Sequence, residues 1–126
     1  IQIGTNNTSE TKNARKNTPA EIAEGIRAII DRVKAKAPQA RIVLMTVFPC
    51  EEKPDHPRRQ HIAGINKLLI DFANIPGVTL LDIGPKMLSP DGTLSRELMR
   101  DFCHPGEKGY QVWGDALAPI LSLTNQ

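Results

Sequence analysis

Between Thr18 and Val33, apolar side chains recur at Ile22, Ile26, Ile29, Ile30 and Val33. That spacing predicts a helix with one buried face. Its start is marked three times: Thr18 suits a cap, Pro19 suits the first helical position, and Glu21 completes a capping box. The helix is expected to end before Pro38. Arg41–Val47 is a nearly continuous aliphatic and β-branched run, which fits a strand buried on both faces, as in a parallel sheet. Helical spacing returns over Arg58–Ala73, with Ile62, Ile65, Leu68, Leu69 and Phe72 on one side. A Pro76-Gly77 turn leads into a second strand, Val78–Ile83. Gly84–Arg100 reads as irregular, with turn signals at Pro90-Asp91-Gly92 and a short helix around Glu97. A last helix is predicted from about Gly106 to Leu121, carrying Val112, Trp113, Leu117, Ile120 and Leu121. Pro119 is expected to kink it or to sit in its last turn.

Ile1-Gln2-Ile3 alternates like the end of a strand and runs into Gly4-Thr5-Asn6-Asn7. The order is then strand, helix, strand, helix, strand, loop, helix. Such alternation predicts βαβ units, a parallel sheet and helices on both faces. Sites in such sheets sit at the carboxyl ends of the strands. Gly4–Asn7, Phe48–Pro57 and the region between the last strand and the last helix all fall there. A chain that starts inside a strand is expected to be a piece of something longer, with any targeting signal upstream. Its unpaired edge is expected to make the piece insoluble or aggregated when expressed alone.

At 126 residues the chain amounts to about one domain. Lys and Arg number 16 against 14 Asp and Glu, which leaves no clustered basic footprint for nucleic acid. Apolar residues at 40% and charged residues at 24% indicate a globular chain, and aromatics at 4% require an aliphatic core. No apolar run approaches the roughly 20 residues of a membrane helix. Cys50 and Cys103 form no CxxC pair, so a structural zinc site is not expected. One disulfide or two free thiols both fit. The compartment stays open, with a lean toward a secreted or periplasmic setting.

Asp101 and His104 are the sharpest candidate pair. An acid there can accept from the imidazole Nδ1–H and fix the tautomer, leaving Nε2 free to take a proton from a nucleophile. Asn6, released from a strand end by Gly4, can aim an amide N–H at a developing oxyanion, worth roughly 3 kcal/mol in a transition state. The bland alternatives are a surface His bonded to a local Asp, and a turn made by Asn residues.

Gly4-Thr5-Asn6-Asn7 and Asp101-Phe102-Cys103-His104-Pro105, with Gly109-Tyr110 after them, resemble the third and fifth sequence blocks of the SGNH (GDSL-type) hydrolases. Within that superfamily the chain is similar to platelet-activating-factor acetylhydrolase catalytic subunits and bacterial acetyl esterases, and Asp91-Gly92-Thr93-Leu94-Ser95 shares in the likeness. The resemblance implies a flavodoxin-like three-layer α/β sandwich, with residues 1–126 as the C-terminal portion of one domain. It implies His104 as general base, Asp101 as its orienting acid and Asn6 as an oxyanion donor, with no metal or organic cofactor. The implied activity is serine esterase hydrolysis of a short, acetyl-type ester on a carbohydrate or similar polar substrate. A lipid acetylhydrolase or thioesterase is next, and a non-catalytic glycan- or partner-binding relative is the rival from another class.

The sequence departs from the family pattern in one respect. The Gly-Asp-Ser block with the nucleophile, and the glycine block after it, have no counterpart here. Ser9, Ser89, Ser95 and Ser122 lie in no such setting. The expected partner is therefore a missing N-terminal segment or companion chain bringing the serine. Other candidates read blandly. His56 and His61, among Lys53, Arg58 and Arg59, belong either to a solvated loop or to a basic pocket mouth, and not to a metal site. Cys103 and Trp113 read as packing, and Asp82 as a strand-end acceptor for loop amides.

Overall fold

The structure is a computed structural model, which describes residues 1–122. Helix α1 (Pro19–Lys36) starts as its sequence dictates. Thr18 Oγ1 accepts from the Glu21 N–H at 3.2 Å, and Glu21 accepts from the Thr18 N–H at 2.8 Å. Strand β1 (Ile42–Met45) leads to helix α2 (Pro57–Leu69), strand β2 (Val78–Leu81) and helix α3 (Glu107–Ser122). β1 and β2 pair in parallel, with Leu44 opposite Leu80. Residues 1–3 are not regular strand, yet Ile1 makes the parallel bridge on the other side of β1. Its amino group donates to Val43 O at 2.6 Å, and Met45 N donates to Ile1 O at 2.8 Å. β1 therefore lies in the middle.

The central position explains the unbroken apolar run. Ile42 and Leu44 face a core with Ile22, Ile26 and Ile30 of α1 and Ile62, Ile65 and Leu69 of α2. Val43 and Met45 face the other layer, with Phe48, Ile83, Met87, Met99 and the inner side of α3. Ile30, Leu44, Ile65 and Leu69 are fully buried, each worth about 1.5–3 kcal/mol relative to exposure. Helices on both faces of a parallel sheet make the three-layer α/β arrangement expected from the alternation.

Several boundaries and faces differ from the sequence expectation. The strands are shorter than predicted because β1 hands its hydrogen bonds to side chains. Val47 N donates to Asn66 Oδ1 at 2.8 Å and Val47 O accepts from Asn66 Nδ2 at 2.9 Å. The Asn66 amide stands in for a neighbouring strand, and the chain leaves the sheet there. The helix predicted to Ala73 stops at Leu69 and tightens into a 3₁₀ turn, Ile70–Asn74. Ile29 and Leu68 are exposed, because each lies off the stripe that its helix presents to the sheet. No helix forms around Glu97. A single turn closes instead, with Leu98 N and Met99 N both donating to Ser95 O. Pro119 sits in the last turn of α3, as its position suggested.

Candidate active site

Asp101 organises its loop with both carboxylate oxygens. Oδ1 accepts from Cys103 N at 3.0 Å and His104 N at 2.7 Å, while Oδ2 lies 2.7 Å from His104 Nδ1. The His104 backbone N–H, followed by the imidazole, holds the carboxyl down at about 2. An ionised acceptor fixes the proton on Nδ1 and leaves Nε2 as the free lone pair. Three acceptor contacts need a tight turn, and Phe102 makes it at φ 59. Neighbours hold that unfavourable backbone. Phe102 O accepts from Glu51 N at 2.7 Å, and the Arg96 guanidinium lies 4.3 Å from the Phe102 ring centroid. Behind the loop, Arg100 N donates to His104 O at 3.1 Å and Gly106 N to Leu98 O at 2.8 Å.

Asn6 sits in a one-turn 3₁₀ helix, Thr5–Thr8, that follows Gly4 at φ 116. Gly4 is buried between the Ile22 and Val47 side chains, where a Cβ would come within 3.2 Å of both. Arg58 pins the turn from outside, with Nε 2.8 Å from Thr8 Oγ1 and Nη2 3.4 Å from Thr5 O. The turn separates the two asparagines. Asn7 Nδ2 donates to Asn17 Oδ1 at 3.0 Å, whereas the exposed Asn6 side chain has no hydrogen-bond partner among the described residues.

Asn6 and His104 line one cleft of about 470 Å³, together with Gln2, Thr5, Asn7, Phe48, Cys103, Tyr110 and Trp113. Asp101 stands behind His104. No serine lines the cleft, and Ser9 is not part of it. The Tyr110 ring stacks on Trp113 with centroids 5.9 Å apart, and Phe48 meets Trp113 edge-on at 4.9 Å. Trp113 thus packs in the core as expected, but it also reaches the cleft wall, and Tyr110 is 59% exposed beside it. Both sit on the helix that follows His104, so the chain order alone keeps them near it, whereas the cleft-wall position of Trp113 shows only in the packed structure.

The basic loop does not line the cleft of Asn6 and His104; Arg59 lines a separate cleft with Pro54 and Asp82, and Lys53 and His56 line another. Arg58 pairs with Glu51 at 3.1 Å, and Arg59 donates to Glu51 O and Gly92 O. Both guanidiniums hold backbone together. His56 caps α2 through Nδ1, and His61 Nε2 donates to Asn17 O at 2.8 Å. No group of three metal-ligating side chains comes together among the described residues. Asp82 does bind a loop amide: Oδ1 accepts from Gly84 N at 2.9 Å and from Thr46 Oγ1 at 2.7 Å. Cys50 and Cys103 are free thiols in contact, Sγ to Sγ 3.0 Å. No described helix is long and apolar enough to cross a membrane.

Comparison with known proteins follows the same lines. The chain is 37% identical over 111 residues to platelet-activating factor acetylhydrolase IB subunit alpha2 of Rattus norvegicus, covering 87% of this chain and 45% of that protein. The alpha1 subunit of the same organism is 32% identical over 122 residues, with 96% and 49% covered. The chain thus spans about half the length of these curated relatives. A GDSL-like lipase from Bacteroides thetaiotaomicron shares the fold at a TM-score of 0.80 and 19% identity, over 98% of this chain and 61% of that one. The family description that matches residues 1–112 is that of the GDSL-like lipase/acylhydrolases. With a match of that extent, this chain belongs to the GDSL-like lipase/acylhydrolase family.

Proposed function

We propose that residues 1–126 are the C-terminal portion of a single ester-hydrolase domain, and that this portion supplies the base and an oxyanion donor. The observation that carries the reading is the cleft shared by Asn6 and His104, with Asp101 bonded behind the imidazole. A serine from outside these residues attacks the ester carbonyl while His104 Nε2 takes its proton. The Asn6 amide donates to the oxyanion as the tetrahedral intermediate forms. His104 then protonates the leaving alcohol, and water repeats the sequence on the acyl-enzyme. Asp101 stays ionised throughout and stabilises the imidazolium. No step calls for a metal or organic cofactor.

For the substrate we favour an acetyl ester on a carbohydrate. The flat Tyr110–Trp113 stack offers an apolar face, and the side chains of Gln2, Thr5 and Asn6 across the cleft offer hydrogen bonds. A polyhydroxylated ring presents both kinds of surface, an apolar face and a polar rim.

The test uses the full-length protein. A fluorophosphonate probe should add to one serine outside residues 1–126, and His104→Ala should lower hydrolysis of a chromogenic acetate by roughly 10³-fold or more. Full activity in that variant would refute the base assignment. Acetylated oligosaccharides should then be cleaved with higher kcat/KM than an acetylated glycerophospholipid. The reverse order would replace the carbohydrate reading with a lipid one.

A further inference from the structure

The chain's two cysteines meet across the fold. Cys50 lies past the carboxyl end of β1 and is fully buried, and Cys103 lies between Asp101 and His104, half-buried, on the cleft wall. They are 53 residues apart in sequence, and their sulfurs are 3.0 Å apart. The backbones on either side are already tied, since Glu51 N donates to Phe102 O at 2.7 Å. Glu51 and Phe102 both hold positive φ, at 73 and 59, so the two segments are shaped to approach each other. Cys103 N is itself fixed on the Asp101 carboxylate. Two sulfurs held this way need to close only about 1 Å to reach the roughly 2.05 Å of a bond.

We propose that Cys50 and Cys103 are a disulfide-forming pair that, once joined, staples the Asp101–His104 loop to the end of β1. The oxidant is a low-molecular-weight disulfide such as oxidised glutathione. Cys103, the accessible thiol, attacks one sulfur of that disulfide as a thiolate; a mixed disulfide forms and one glutathione thiol leaves. Cys50 then attacks the Cys103 sulfur, the protein disulfide forms, and the second glutathione leaves. Two protein thiols and one disulfide become one protein disulfide and two small thiols, with electrons and protons balanced. The order follows from access, because Cys50 is sealed behind Cys103 and has no route to an outside oxidant. The bond would close a loop between residues 53 apart that holds α2, β2 and the irregular segment, which restricts the unfolded chain.

Full-length protein is exposed to oxidised glutathione, denatured, alkylated with iodoacetamide and mapped by mass spectrometry without reductant. The expected result is a Cys50–Cys103 cross-linked peptide two hydrogens lighter than the sum of its parts, and no alkylation at either site. The thermal midpoint should rise by roughly 5–15 °C on oxidation and return on adding dithiothreitol. Cys50→Ala should instead stop at the mixed disulfide and retain one glutathione on Cys103. Cys103→Ser should take up none. Two alkylated cysteines after oxidation would overturn the proposal, as would a cross-link found only between separate chains. A cross-link that leaves the midpoint unmoved would remove the staple. None of these readouts depends on ester hydrolysis, so the pair stands or falls apart from the proposed function.

Discussion

The turn that carries Asn6 is held from outside. Gly4 is buried against Ile22 of α1 and Val47 beyond β1, Thr8 is buried, and Arg58 reaches across from α2 to bond the turn twice. The loop that carries His104 is held mostly from inside. Asp101 gathers three contacts within three residues of itself, and the side chains of both members of the dyad are more than half exposed. One element is placed by packing between distant segments, the other by local hydrogen bonds to a single carboxylate. The first therefore answers to volume and backbone angle, and the second to charge.

That contrast is tested most strongly at Asp101. In the full-length protein, Asp101→Asn should cut ester hydrolysis by about 10⁴-fold, because the amide no longer fixes the imidazole tautomer. Circular dichroism should show the fold retained. If hydrolysis falls less than tenfold, His104 does not depend on this acceptor.

Next in size is Gly109→Ala. A Cβ at Gly109 would lie 2.2 Å from the Leu98 carbonyl oxygen, so the start of α3 has to move away from the loop that it supports. A loss of about 2–4 kcal/mol is expected in urea unfolding, with hydrolysis reduced alongside. An unchanged unfolding midpoint would mean that the helix start is not packed on that carbonyl.

Gly4→Ala comes after it. The residue must hold φ 116, and its Cβ would press on Ile22 and Val47 at 3.2 Å, where side chains have some room to yield. About 1–3 kcal/mol is expected. The stability loss should leave Asp101 chemistry intact, so the residual activity should keep its dependence on Asp101.

The smallest effect is the acid limb. The Asp101 carboxyl is held at about 2 in the fold and titrates near 3.9 when unfolded. Its stabilising contribution is complete above about pH 4 and disappears as pH falls through 2. Asp101→Asn should flatten the fall of the urea midpoint over that window. Glu21, held at about 2 by Arg15 and the Thr18 N–H, acts in the same direction and supplies a residual slope.

Much of the scaffold was legible in advance because its causes are local. The capping box needs only Thr18 and Glu21, and the parallel-sheet position of β1 shows in its two-sided apolar run. Element ends were less legible. Where α2 stops depends on Leu69 being its last residue fully sealed in the core, and where β1 stops depends on an Asn66 side chain contributed by α2. The exposed Ile29 and Leu68 show the same limit, since an apolar residue one position off the stripe looks identical in sequence.

At the site the division is sharper. The sequence by itself determined the Asp101–His104 pair, because a carboxylate three residues before an imidazole can close its own turn. It also determined that Gly4 releases the chain next to two asparagines. Only the tertiary structure decided that Asn7 spends its amide on Asn17 while Asn6 beside it at the cleft is left unpartnered among the described residues, that Arg58 and Arg59 bond backbone carbonyls, that Tyr110 stacks on Trp113 at the cleft wall, and that Cys50 meets Cys103. Each of those depends on segments far apart in the chain being brought together by the sheet and the helices on its two faces. Hydrogen bonds within one turn are written in neighbouring residue types. Contacts across the fold are fixed only once the layers have packed.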